Sequence, residues 1–221
     1  MAEGTVWINT TDYTPLELAL FALGCLGWVV VYLIVAKNII RHHFVEIPWA
    51  AVAANVAWEF VWSFIYETNM GRLFGLGYEI WFFLDVFIVY GVYRYGANQL
   101  SNPKSVPFLR PALVFGIVAW TVLLYFLRKE GYDTITGAIS GYILNVMMSA
   151  LYIVHFLGRG DQEPFSYVAA WSKFLGTGLI SVFCFLYWPD KWFLLSMCVI
   201  AAVLDVAYIV LFTRSRNGRG V

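Results

Sequence analysis

The chain has 221 residues, 61% of them apolar and only 13% charged, and its fourteen basic and fourteen acidic side chains cancel. Soluble domains are about 45–50% apolar and about 25% charged. This composition, with a mean hydropathy of +0.72, excludes a soluble globule, a disordered chain and a secreted disulfide scaffold, and zero net charge removes the field a nucleic-acid binder needs.

A helix needs about 20 apolar residues to cross about 30 Å of hydrocarbon, and the sequence predicts seven such spans. The segment before them lacks a basic cluster and is read as a retained N-terminus, not a cleaved signal peptide; its Asn9-Thr10-Thr11 has the form of a glycosylation acceptor. The first span, 16–36, has Glu17 at its start and Cys25 within. The second, 47–66, carries Asn55, Glu59 and Trp62. The third, 78–95, has Glu79 near its start and Asp85 within, and the fourth covers 111–127. The fifth, 135–157, opens on Gly137-x-x-x-Gly141, a spacing that permits close helix packing, and carries Asn145 and His155. The sixth, 168–187, holds Lys173 and Cys184. The seventh, 192–212, holds Cys198 and Asp205. No run alternates as a barrel strand does, so helices are the spanning element. Loops this short leave no room for a soluble domain. The expected fold is all-α, a single seven-helix membrane domain over residues 1–221.

Basic residues predict its orientation. Lys37, Arg41, Arg94, Lys104, Arg110, Arg159, Lys173, Arg214, Arg216 and Arg219 fall on one side, and Arg72, Arg128, Lys129 and Lys191 on the other. The N-terminus is therefore expected outside and the C-terminus in the cytoplasm, in a bacterial inner membrane or, in a eukaryote, the endoplasmic reticulum. His155 and Lys173, near cytoplasmic span ends, are expected to snorkel towards water. The three cysteines sit in apolar runs without CxxC spacing, so they read as core and no metal is expected.

A charged side chain in mid-span costs roughly 2.5–3.5 kcal/mol on insertion scales, and such residues usually face a bundle interior with a function. Glu59, Asp85 and Asp205 all lie within about 5 Å of their span midpoints at 1.5 Å per residue. Helical phase puts Asn55, Glu59, Trp62 and Tyr66 on one face. Tyr78, Phe82, Asp85 and Val89 share another, as do Asn145, Ser149 and Tyr152, and Cys198, Ala201, Asp205, Tyr208 and Phe212. The expected site is a pocket with carboxyl groups in an aromatic wall. Glu59, Asp205 and Asp85 are its candidate catalytic residues. Asn55, Trp58, Trp62, Tyr66, Trp81, Phe82, Asn145 and Tyr208 are the candidate residues around a substrate. Burial disfavours a charged carboxyl, and two neighbouring carboxyls titrate as a unit, so Glu59 with either Asp85 or Asp205 can keep a proton. Two functions use such a site: a proton-coupled small-solute transporter or channel, and acid-initiated chemistry on a lipophilic olefin or epoxide. Aromatic faces, which stabilise developing cations, favour the second. The last span has no mid-depth lysine for a retinal Schiff base, and no GxxxxGK[ST] loop holds nucleotide phosphates.

The stretch Ala54-Asn-Val-Ala-Trp-Glu59-Phe resembles the small seven-helix integral-membrane terpene cyclases, the paxilline-type family of meroterpenoid and indole-diterpene pathways. Leu204-Asp205-Val resembles that family's second acidic position, and Glu79-Ile-Trp-Phe-Phe-Leu-Asp85-Val is also similar. Length, seven spans and both acids match along the whole chain, and the short loops resemble those of bacterial relatives. The resemblance implies that Glu59 donates a proton to a terminal epoxide or alkene, and that Asp205 pairs with it and supports protonation or the final deprotonation. It implies a non-ionising cyclisation of a prenylated, farnesyl-bearing aromatic or indole substrate, a lipophilic partner met in membrane lipid, with no cofactor and no nucleic acid. The absence of DDxxD and DxDD clusters agrees with a reaction that ionises no diphosphate.

Overall fold

The computed structural model describes residues 6–100, 102–159 and 164–217; Arg219, counted above among the basic residues, lies outside them. Seven α-helices follow one another among the described residues: α1 (Pro15–His42), α2 (Trp49–Phe60), α3 (Arg72–Tyr95), α4 (Val106–Lys129), α5 (Ala138–Leu157), α6 (Tyr167–Tyr187) and α7 (Trp192–Asn217). All but α2 are long and apolar enough to cross a membrane. α2 continues into a π-helical turn, Val61–Ile65, and with it forms a shorter apolar helix. The all-α, multi-pass expectation therefore holds.

Local chemistry explains the helix ends. Thr14 caps α1 through a capping box: its side chain accepts from the Glu17 N–H while the Glu17 carboxylate accepts from the Thr14 N–H at 2.7 Å, and Pro15 begins the helix. Glu17 is thus a cap, which accounts for an acid at the edge of an apolar run. The Ser166 hydroxyl caps α6, and the Asp133 carboxylate accepts from the Ile139 and Ser140 N–H groups at the start of α5. Several helices outrun the apolar segments. α1 continues through Lys37 and Arg41 to His42, and α3 starts at Arg72, whose guanidinium pairs with Glu79 at 2.5 Å.

Contacts at the two ends fix the alternation. Asn9 and Arg72 bond backbone to backbone with Met70 and Val6, and Tyr13 stacks on Tyr187, so the N-terminal segment meets the α2–α3 and α6–α7 connections at one face. At the opposite face Val45 meets Gln99 and Ser166 meets Glu46. Laterally, α3 packs on α2 and α1, α1 on α6, α6 on α7, α7 on α5 and α5 on α2, which closes a ring of six helices; α4 lies outside it against α2. Leu23, Leu33, Phe83, Phe115, Leu123 and Val203 are each more than half exposed. An apolar surface of this kind is the lipid-facing side of a membrane bundle.

α1 and α6 approach each other closely, backbone to backbone. A Cβ built on Gly176 would lie 2.9 Å from the Gly24 carbonyl oxygen, and one on Gly24 would lie 2.8 Å from that of Gly176. The small-residue seam therefore falls at Gly24, Gly27 and Gly176, not at Gly137 and Gly141. Gly137 precedes α5 with φ +72°, and a Cβ there would run into the Trp62 ring; Gly141 faces Trp58. This pair makes room for indole rings.

Two charge placements depart from expectation. Lys173 does not snorkel: it is 2% exposed and paired within the bundle. His155 lies between the Phe44 and Phe165 rings at 6.0 and 5.3 Å. Glu46, in the connection between α1 and α2, is fully buried, with Oε1 accepting from the Ser166 N–H and Oε2 from Asn38 Nδ2. Burial pushes its carboxyl from 4.5 up to about 8. Between these values the unfolded chain binds fewer protons than the folded one, so this group's contribution to stability falls as pH rises through the window and levels off above about 8. Thermal unfolding in nanodiscs is expected to show that fall in the wild type and a flatter curve in Glu46→Gln; equal slopes would contradict the assignment.

Candidate functional site

A cavity occupies the ring, towards the N-terminal face, with about 800 Å³ of empty space including its open mouth. α1, α2, α3, α5 and α6 line it, and the wall is mainly apolar and aromatic. The rings brace one another: Trp58 meets Tyr78 edge to face at 5.3 Å, Tyr78 stacks on Trp81 at 5.9 Å, and Tyr32 on Trp81 at 6.4 Å. Their polar atoms turn away to fixed partners. Trp58 Nε1 donates to Ser140 Oγ at 2.8 Å, and Tyr78 Oη donates to the Thr136 carbonyl. What faces the space is π surface held in place.

Glu59 lines this cavity and belongs to a buried polar cluster. Its Oε1 accepts from Tyr32 Oη at 2.5 Å and from Asn55 Nδ2 at 3.2 Å. The same Asn55 amide donates to Asp85 Oδ2 at 2.7 Å and to Tyr32 Oη at 2.6 Å. Asn55 and Glu59 are one turn apart on α2, Tyr32 comes from α1 and Asp85 from α3, so three helices converge. Glu59 and Asp85 are each 1% exposed, and Glu59 Oε2 and Asp85 Oδ1 have no hydrogen-bond partner among the described residues. Two carboxyl groups therefore share one amide, each with an oxygen left over. The π-helical turn follows directly at Val61, and such turns recur at functional sites.

The structure brings Glu59, Asp85, Asn55, Trp58, Trp81 and Asn145 to the cavity or its polar cluster; Asn145 Nδ2 donates to Thr177 Oγ1 at 3.1 Å on the far wall. It does not bring Trp62, Tyr66, Phe82 or Tyr208 to the wall. Trp62 packs behind it against Gly137, and Tyr66 donates to the Tyr125 carbonyl and stacks on that ring. Phe82 contacts Phe60 and Phe64 on the lipid side, and Tyr208 sits with Tyr152, Phe156 and Phe212 towards the opposite face. Of the two acids left open as the partner of Glu59, Asp85 shares the Asn55 amide with it, whereas Asp205, the partner that the resemblance implies, has a different neighbour. It forms an ion pair with Lys173 at 2.6 Å, and Lys173 also donates to Ser149 Oγ at 2.6 Å. Sequence reasoning missed Tyr32, Trp28 and Tyr142. Tyr32 had a signal: a hydroxyl between Val31 and Leu33 in mid-span must find a partner when buried.

Residues 9–217 match the family model described as Pyr4-like transmembrane terpene cyclases. Curated relatives agree along nearly the whole length. Terpene cyclase spyD of Aspergillus fumigatus is 24% identical, over 90% of this chain and 87% of the relative. Terpene cyclase pyr4 of the same fungus is 23% identical, over 91% and 87%. Asnovolin H synthase nvfL of Aspergillus novofumigatus is 24% identical, over 95% and 89%. No solved structure matches.

Proposed function

This chain belongs to the Pyr4-like transmembrane terpene cyclases, and from that premise we propose that it cyclises a prenylated aromatic or indole substrate, farnesyl-bearing, by acid initiation at Glu59. The observation that carries the reading is a buried pair of carboxyl groups bridged by Asn55, one of which, Glu59, lines an aromatic cavity.

In this reading Glu59 Oε2 carries the proton and delivers it to the oxygen of a terminal epoxide, or to the terminal carbon of an alkene. The C–O bond of the epoxide breaks as the neighbouring alkene's π electrons form the first new C–C bond. Each further alkene closes on the cation before it, and Trp58, Trp81, Tyr78 and Trp28 offer ring faces that stabilise the charge without trapping it. The negative charge left on Glu59 falls on Oε1, where the Tyr32 hydroxyl and the Asn55 amide already point; such donors need no rearrangement as charge develops. Loss of a proton from the last cation completes the reaction, so the product is an isomer of the substrate. Asp85, linked to Glu59 through Asn55, is the second carboxyl of the proton-holding unit.

Membranes incubated with a farnesylated phenol or indole, with and without its terminal epoxide, are expected to yield a product of unchanged mass with fewer alkene protons in its NMR spectrum. pH-driven solute flux in liposomes without any such product would overturn the reading. Tyr32→Phe removes one charge-assisted hydrogen bond worth about 1.5–3 kcal/mol. It is expected to lower kcat by about 10- to 100-fold with little change in KM, and an unchanged kcat would remove Tyr32 from the scheme.

A further inference from the structure

The second acid stands apart from the first. Asp205 Oδ1 and Lys173 Nζ lie 2.6 Å apart, both side chains at most 4% exposed, and Ser149 Oγ accepts a second hydrogen from the ammonium. The three residues come from α7, α6 and α5, and none of them lines the cavity, whereas Glu59 does. Lys173 also lies over the Trp28 ring at 5.7 Å. Trp28 lines the cavity and is 6.4 Å from Tyr32, the hydroxyl that holds Glu59. From Asp205 a line of contacts therefore runs through Lys173 and Trp28 to Tyr32.

A buried ammonium with a single anionic partner cannot lose it cheaply; removing one member of such a pair leaves an uncompensated charge. Replacing both members by neutral groups of similar volume is often tolerated, however. A residue that exchanges a proton with substrate behaves otherwise, because its loss is not repaired by also deleting its counter-ion.

We propose that Asp205 acts on the cyclisation through Lys173: it neutralises the ammonium that ties α5, α6 and α7 together and seats Trp28 in the cavity wall. Asp205 and Lys173 are positioning residues, and the proton chemistry belongs to the Glu59 cluster. The inference rests on the cyclase reading above.

The test compares Asp205→Asn, Lys173→Met, the double variant and Glu59→Gln, each as the full chain in nanodiscs, on the substrate that gives the wild-type product. Methionine keeps the length of the lysine stem and a favourable sulfur contact to the indole. Each single charge removal is expected to reduce product at least about tenfold, through fold or wall geometry. The double variant is expected to recover to within about tenfold of wild type, to unfold at a temperature near that of wild type, and to keep the wild-type shape of the pH–rate profile. A double variant that is folded yet as inactive as Asp205→Asn, or that has lost one limb of the pH profile, would overturn the proposal and return Asp205 to direct proton exchange. Should Asp205→Asn fail to fold, the double variant against wild type decides by itself. Full activity in Glu59→Gln would sink the acid assignment, and the comparison of double with single variants would still be readable.

Discussion

Glu59→Gln is expected to lower cyclisation by about 10²- to 10⁴-fold, the usual contribution of a positioned acid, while the protein elutes and unfolds like wild type. The amide keeps the shape of the carboxyl group and a carbonyl oxygen to accept from Tyr32 and Asn55, as Oε1 does now. It lacks the transferable proton. Among the described residues Glu59 Oε2 accepts from no donor, so the substitution separates proton delivery from architecture better than an alanine would: alanine takes the acceptor from the Tyr32 hydroxyl, at a cost of about 1–3 kcal/mol, while Asn55 keeps Asp85 and the Tyr32 oxygen. The measurement is product formed per folded enzyme in nanodiscs, with thermal unfolding as the control for structure. A folded Glu59→Gln protein at more than about a tenth of wild-type activity would refute the assignment. A substrate that accumulates partially cyclised products in this variant would count against it as well, since initiation and not a later step is what Glu59 is proposed to perform.

Gly176→Val is expected to have the largest effect on folding, at least about 3 kcal/mol, the upper part of the range for overpacking. At most overpacked sites a neighbouring side chain can yield. Here the nearest atom is main chain, the Gly24 carbonyl oxygen at 2.9 Å, with the Trp28 ring and backbone nitrogen just beyond. α1 would have to withdraw from α6, and with it Trp28 and Tyr32 would leave their places beside Lys173 and Glu59. The variant should therefore lose activity and stability together. Gly178→Ala is the control on the same helix, since a Cβ there meets nothing within 4 Å. It should behave as wild type in both thermal unfolding and turnover. Equal behaviour of the two variants would show that the seam is less tight than its geometry.

The helices were legible because lipid imposes a composition that soluble chains lack. Their ends were not, since a helix does not stop where its side chains turn polar; α1 runs on through Lys37 to His42, and α3 begins at Arg72. Glu59 and Asp85 were legible as charges where hydrocarbon makes them costly. Which acid partnered which was a tertiary fact, decided by Lys173, whose position near a helix end looked like that of a snorkelling side chain. The aromatic wall was half legible. Trp58 and Trp81 stand in it, but Tyr66 does not. The phase argument carried a 3.6-residue period past Glu59, and the π-helical turn at Val61–Ile65 spends an extra residue there. Every residue beyond it is rotated by about a third of a turn relative to a regular helix. Tyr32 was hidden for another reason: in an apolar run a tyrosine looks like one more ring.

The Asn55 amide has two hydrogens, and three oxygens stand within its reach, on Tyr32, Glu59 and Asp85. At every instant one of the three goes unserved by it. The phenol's own hydrogen serves Glu59 Oε1, which leaves Glu59 Oε2 and Asp85 Oδ1 as the cluster's buried oxygens without a donor among the described residues; on the proposed scheme the proton that the two acids hold in common makes up that shortage. Spending that shared proton on a substrate leaves the cluster one hydrogen short, and the cation at the far end of the cascade holds one too many. On the proposed scheme, the same shortage that arms the site also draws the proton home and resets it for the next molecule.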